Sequence, residues 1–309
     1  MSKESERSIR AMQEFLEKNV TEDMSVDEVN AFMQEHLTQI NQSIPRLETQ
    51  KDAKTAEDFL ILAERAEGDG DIQEALRFVR KALKLDPNDL DAELMEIRLG
   101  EKNPLNVLKR LRLASDNGRR RLEKEGYFDD EECIGEFWTI LETRPYMRIR
   151  DNYVNALYAF GMLRQAAREA EDMIRLNETD NLGERFVLMH IYAALEDAQS
   201  AEALLEKYSE HDEGQMLLPL ALLYYKLGDT KKAESYIKRL SKVVDETKKF
   251  IRDYLMDDLE KKHREITKEG GYRPFSEEEL IFAYYENSGV YDGTPTFFLW
   301  AANILKIKY

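Results

Sequence analysis

Only one cysteine, Cys133, occurs in the 309 residues, which excludes an internal disulfide and any cysteine-based metal cluster within one chain. The four histidines, His36, His190, His211 and His263, are scattered, and none stands in a paired-ligand spacing, so no metal site and no cofactor is legible. Gly-x-x-x-x-Gly-Lys loops, Gly-x-Ser-x-Gly elbows and strand-Gly-rich-helix units are missing as well, and no catalytic residue is assigned. Cations are outnumbered, 45 Lys and Arg against 62 Asp and Glu. The resulting charge of −17 argues against nucleic acid as a partner, because that affinity comes from neutralising phosphates. One locally basic stretch, Lys109 to Lys124, reads as a solvated helix face. Long apolar runs are also lacking. MLLPLALLYY and FFLWAANIL fall short of a membrane span, and MSKESERSIR has no apolar core for a signal peptide, so a cytoplasmic chain without membrane insertion is expected.

Strand signals are nearly absent too: no sustained alternation of β-branched and polar residues, and few hairpin dipeptides. What is present is helical periodicity. In GDIQEALRFVRKALKLDPND, Ala75, Phe78, Val79, Ala82 and Leu83 recur at three- and four-residue spacing between charged residues. The fold class is therefore all-α. The same segment recurs further on: Gly161 precedes Ala166 by five residues, as Gly70 precedes Ala75, and Gly228 stands five before Ala233. Between them Leu195 replaces the glycine and Ala201 comes one residue late. The glycine suits a tight turn between two helices, and the alanine lets their backbones approach. A unit of about 34 residues that cannot bury its apolar face alone must stack on its neighbours.

These residues, with Phe59, Leu62, Ala63, Ala82 and Pro87 in the first unit, Tyr153 in the second and Leu220, Ala221 and Tyr224 in the last, resemble the tetratricopeptide repeat superfamily. The resemblance implies an α-solenoid of stacked helix-turn-helix repeats with helical caps at both ends. The expected organisation is an N-terminal helical arm over 1–50, a repeat region over 51–245 and a C-terminal cap over 246–309. Units are expected near 56–89, 147–180, 181–213 and 214–246, with a non-repetitive helical insertion at 90–146. Within that insertion the spacing predicts helices over 90–103, 104–125 and 129–142, then a new helix at Pro145. The stretch EFWTILETRPYMRIRDNYVNALYAFG resembles, more narrowly, bacterial tetratricopeptide proteins related to the suppression-of-tumorigenicity family, which implies an adaptor without an established activity.

At the ends, Ser25 to Glu28 spells a capping box ahead of an amphipathic helix, followed by a loop at Ser43-Ile44-Pro45. One long charged helix is predicted over 246–268, ending at Gly270-Gly271, and then a helix capped by Ser276 with Glu279 three residues on. A last apolar helix carries Phe297, Phe298, Leu299 and Trp300. It either closes the core on the last repeat or forms a homodimer contact.

Three tyrosines precede the inter-helix turns: Tyr158, Tyr192 and Tyr225. They either line a groove, which the resemblance places on the first helices, or pack one repeat on the next. One turn earlier lie Asn155, Met189 and Leu222, and near them Arg148, Asp151, Asn152 and Arg185. Together these ten residues form the candidate peptide-binding groove. Some tetratricopeptide proteins hold a terminal carboxylate with a Lys, Asn, Asn, Lys, Arg clamp. Here only Asn155 matches, Asp151 has the wrong sign, and Gln215 and Leu218 stand where cations belong, so that mode is not expected. The leading expectation is a non-enzymatic adaptor binding a protein or peptide segment. The alternatives are a peptide-sensing regulator, for which residues 1–55 lack a basic recognition helix, and an enzyme with a site hidden between repeats.

Overall fold

The computed structural model describes residues 2–21, 24–44, 47–209, 212–269 and 271–309. His211, Pro45 and Gly270, all singled out above, lie outside the described residues. Among the described residues the ordered elements are helices, with no β-strand. The chain forms an all-α helical-repeat fold in two compact units, Met1–Tyr153 and Val154–Tyr309.

In the first unit α1 (Lys3–Asn19) and α2 (Val26–Ser43) precede the hairpin of α3 (Ala56–Gly68) and α4 (Ile72–Leu85). The Ser25 capping box forms as expected, its hydroxyl accepting from the Glu28 N–H while the Glu28 carboxylate accepts from Ser25. The α3–α4 turn is set by Gly70, at φ +81°, a region that costs an L side chain energy. Its N–H donates to Glu67 and that of Asp71 to Ala66, closing α3, while the Asp71 carboxylate accepts the Glu74 N–H and opens α4. Leu60, Ile61, Phe78 and Val79 then bury their apolar faces together, each worth roughly 1.5–3 kcal/mol.

Helices α5 (Leu90–Gly100) and α6 (Pro104–Lys124) make another pair, with Pro104 in the first turn of α6. Lys109, Arg112, Arg119, Arg120 and Lys124 of the basic stretch of α6 are exposed, as expected, with Arg119 paired to Glu123 at 2.7 Å, while the half-buried Arg110 reaches Glu96 of α5 at 2.6 Å. The helix expected over 129–142 does not form. Gly126 at φ +91° and Gly135 at φ +99° leave the helical region, and the chain makes successive turns that bury Phe137 completely against Phe128. Helix α7 (Arg144–Ala159) starts one residue before the predicted Pro145. Cys133 lies in these turns, where burial and the neighbouring Asp130 carboxylate push its thiol up.

In the second unit the end of α7 turns at Gly161 into α8 (Leu163–Leu176). Then come the pairs α9 (Glu184–Leu195) with α10 (Ala198–Lys207) and α11 (Gly214–Lys226) with α12 (Thr230–Val243). Helix α11 is buried from Gly214 to Tyr224, which explains its uninterrupted apolar sequence. The single helix expected over 246–268 is two, α13 (Thr247–Leu255) and α14 (Leu259–Glu269). Asp257 takes φ +61° between them, and Asp258 N–H closes α13 on Asp253 at 2.9 Å. The bend lets Phe250 and Ile251 on one helix and Leu259 and Ile266 on the other all be buried, which a straight rod would not. Helices α15 (Glu277–Glu286), α16 (Ser288–Asp292) and α17 (Thr296–Ile304) follow. Ser276 caps α15, but Glu279 completes no capping box with it: its carboxylate instead accepts the N–H of Phe275 at 2.6 Å and of Gln215 on α11 at 3.1 Å. Phe297, Phe298, Ala301 and Ala302 of α17 are fully buried, with α17 packed on α12 and α13.

Candidate functional site

The phase of the repeats decides which side chains share a face. The turn after α9 is made by Glu196 at φ +61°, and Asp197 N–H closes it on Tyr192. Glu196, not Leu195, therefore holds the place of Gly161 and Gly228, and Ala201 follows it at the regular distance of five. One residue is a rotation of about 100° on a helix. Tyr158 and Tyr225 are equivalent, but Tyr192 is equivalent to Tyr224, and His190, not Met189, is equivalent to Asn155 and Leu222.

The contacts follow that phase. The Tyr192 hydroxyl donates to Glu171 of α8 at 2.8 Å, and Tyr224 donates to Glu202 of α10 at 2.5 Å, so both tie a first helix to the preceding second helix. Tyr225 turns the other way: its hydroxyl donates to Thr296 at 3.0 Å and its ring packs on Phe297 and Trp300 of α17. Tyr158 is half-buried near Tyr291 of α16, and burial pushes its phenol well above the usual range. His190 is completely buried. Its Nδ1 faces the Phe186 carbonyl at 2.8 Å, and a carbonyl only accepts, so Nδ1 carries the proton and Nε2 accepts from Tyr291 at 2.9 Å. Loss of solvation lowers its pKa to about 4. Met189 and Leu222 are fully buried. Arg185 is held by Glu213 at 2.8 Å and by Asp180 at 2.8 Å and lies over the Phe186 ring. In this unit the first-helix face of α9 and α11 is thus covered by the chain's own α15, α16 and α17.

The first unit does the same with α1, and with ions in place of rings. Arg148 of α7 grips two carboxylates at once, Asp91 of α5 at 2.7 Å and Glu6 of α1 at 2.5 Å. Lys3 of α1 reaches Asp91 at 2.5 Å, and its N–H donates to Glu64 of α3 at 2.9 Å. Arg7 pairs with Asp58 at 2.7 Å and with Glu57 at 3.0 Å, and Arg10 with Glu57 at 2.9 Å. Burial raises the pKa of both Glu6 and Asp91, yet their cations outweigh it and hold both carboxyls below the usual range. Against the same burial, the N–H groups of Lys54 and Thr55 and the Arg7 guanidinium bring Asp58 to about 2. Of the other candidates on α7, Asn152 donates to the Arg148 carbonyl at 2.9 Å, Asp151 is half-buried and Asn155 is exposed.

Within the first unit Arg148 and Asn152 are engaged by the chain itself, and within the second Arg185, Met189, Tyr192, Leu222 and Tyr225 are engaged or buried by it. Sequence reasoning missed Lys3, Glu6, Arg7, Asp58, Asp91, Phe186 and Tyr291. The signal for α1 was present, since Lys3, Glu6, Arg7 and Arg10 follow the i, i+3, i+4, i+7 spacing of one helix face. No group of three or more His, Cys, Asp or Glu among the described residues could hold a metal, and no described helix is long and apolar enough to cross a membrane.

No curated protein matches the chain. Among solved structures it is similar to YrrB, described as a TPR protein with an unusual peptide-binding site, at 15% identity and a TM-score of 0.37, over 65% of this chain and 88% of that one. A tetratricopeptide repeat model matches residues 215–243, the α11–α12 hairpin that Gly228 and Ala233 mark.

Proposed function

We propose that this chain is a non-enzymatic interaction adaptor that binds a segment of a partner protein on the face of its first helices, in keeping with the narrower suppression-of-tumorigenicity resemblance. The observation that carries the reading is that this face already receives helices: α1 against α3, α5 and α7, and α15 to α17 against α9 and α11. A surface that satisfies one helix by charge and others by aromatic packing has the shape and chemistry for helix-in-groove recognition. Arg148, Asp151 and Asn152 in the first unit, and separately Asn155 and Tyr158 in the second, are the residues proposed to meet a partner, while Met189, Tyr192, Arg185, Leu222 and Tyr225 hold the frame of the second unit.

A random-peptide display library selected on the full chain tests this. Hydrogen exchange should show bound peptides protecting α3, α5 and α7, or α9 and α11. Peptides that protect only α4, α8, α10 and α12 would place binding on the opposite helices and remove the reading.

A further inference from the structure

We propose that α1 is a resident self-ligand, and that the acidic face beneath it takes a partner helix of the same pattern: Lys or Arg at i, i+4 and i+7 with Glu at i+3. This rests on the reading that first-helix faces bind protein segments, and it names the partner's chemistry for one of them.

The pattern comes from what faces α1. Glu57, Asp58, Glu64 and Asp91 present four carboxylates, against the guanidinium groups of Arg144 and Arg148. Such a face prefers a helix side of net positive charge with one carboxylate aimed at the two arginines. Helix α1, whose charges cancel over its full length, supplies that on one side with Lys3, Arg7 and Arg10 around Glu6. The Glu64 carboxylate also accepts the N–H of Lys3 at the N-terminus of α1, where a helix favours negative charge.

Exchange is feasible because of how α1 is held. Only Glu6 and Arg7 of α1 are buried; its apolar residues Ile9, Met12, Phe15 and Leu16 are half-buried, with the Phe15 ring stacked on Phe32 of α2. Ion pairs taken out of water return little more than their desolvation cost, so the helix is specified by these pairs but not locked by them. Helix α17 is the contrast: four fully buried apolar residues fix it in place. A resident helix lowers apparent affinity for a competitor by the fraction of molecules in which the face is open.

The test is fluorescence anisotropy with a labelled synthetic peptide of residues 2–20 against the full chain. A Glu6→Ala, Arg7→Ala chain, shown folded by circular dichroism, should bind the peptide at least about tenfold more tightly than wild type. A peptide with Glu6→Lys and Arg7→Glu should bind neither chain. Equal affinity of the two chains, absence of binding to both, or equal binding of the reversed peptide would overturn the proposal. If the double variant fails to fold, hydrogen exchange on the wild type decides. The amides of α1 should exchange ahead of those in α3 and α5 and faster as salt rises; exchange only with global unfolding overturns the idea. Library peptides that bind only at α9 and α11, with no self-peptide exchange, would remove this proposal and leave the adaptor reading standing.

Discussion

Gly118 lies where α6 passes α5 and α7, and a Cβ there would come within 2.9 Å of both Leu90 and Tyr146. Tyr146 is almost fully buried and cannot swing aside. Gly118→Ala therefore strains the core by about 1–3 kcal/mol, of which better helix propensity returns up to about 1. Urea unfolding should show a net loss of up to about 2 kcal/mol. His190 makes a pH-dependent prediction. Its pKa is about 4 in the folded chain and 6.5 without that environment, so the unfolded state binds the proton first as pH falls. The stability due to neutral His190 is whole above pH 6.5, declines below it and is gone below about 4, a loss on the order of 3 kcal/mol. His190→Gln should flatten that part of the stability profile. The sequence gives a reason to read His190 as a packing residue, since its neighbours are apolar. It gives no hint of Tyr291, which is distant in the chain.

At the scale of elements, capping and phase govern. Asp71 both follows the left-handed Gly70 and accepts from Glu74, so Asp71→Ala should cost about 1 kcal/mol, seen as a lower melting temperature. Tyr225→Ala removes the Thr296 hydrogen bond and the rings against Phe297 and Trp300. A loss of about 2 kcal/mol or more is expected, together with a red shift of Trp300 emission as α17 loosens. Tyr192→Phe should leave that emission unchanged, because Tyr192 serves the α8 contact. The repeats were legible from spacing alone, yet the phase of α9 was not. A left-handed Glu196 carries no glycine to mark it, and a shift of one residue moves a tyrosine from one helix face to another. The same holds for Asp257, where a break inside a continuous charged pattern follows from burial on both sides.

Across the whole molecule, each unit covers its first-helix face with helices from its own end of the sequence. Ending the chain at residue 270 would strip α15 to α17 from His190, Gln215 and Tyr225. The truncated protein should bind an environment-sensitive dye such as anilinonaphthalene sulfonate strongly and aggregate at concentrations where the full chain does not. Retention of full-chain dye binding would mean the face is covered some other way.

The sequence by itself determined the helical class, the hairpins with their glycine turns and alanine contacts, and the caps at Ser25 and Ser276. Those are local: a turn residue, a cap or an apolar stripe acts within a few positions of itself. Only the tertiary structure decided what lies on the repeats. The pairs Glu6 with Arg148, Arg7 with Asp58 and His190 with Tyr291 join residues far apart in the chain. Each of those residues reads locally as an ordinary surface or packing residue. Its role is set by the partner that folding brings to it, because charge and burial are properties of surroundings.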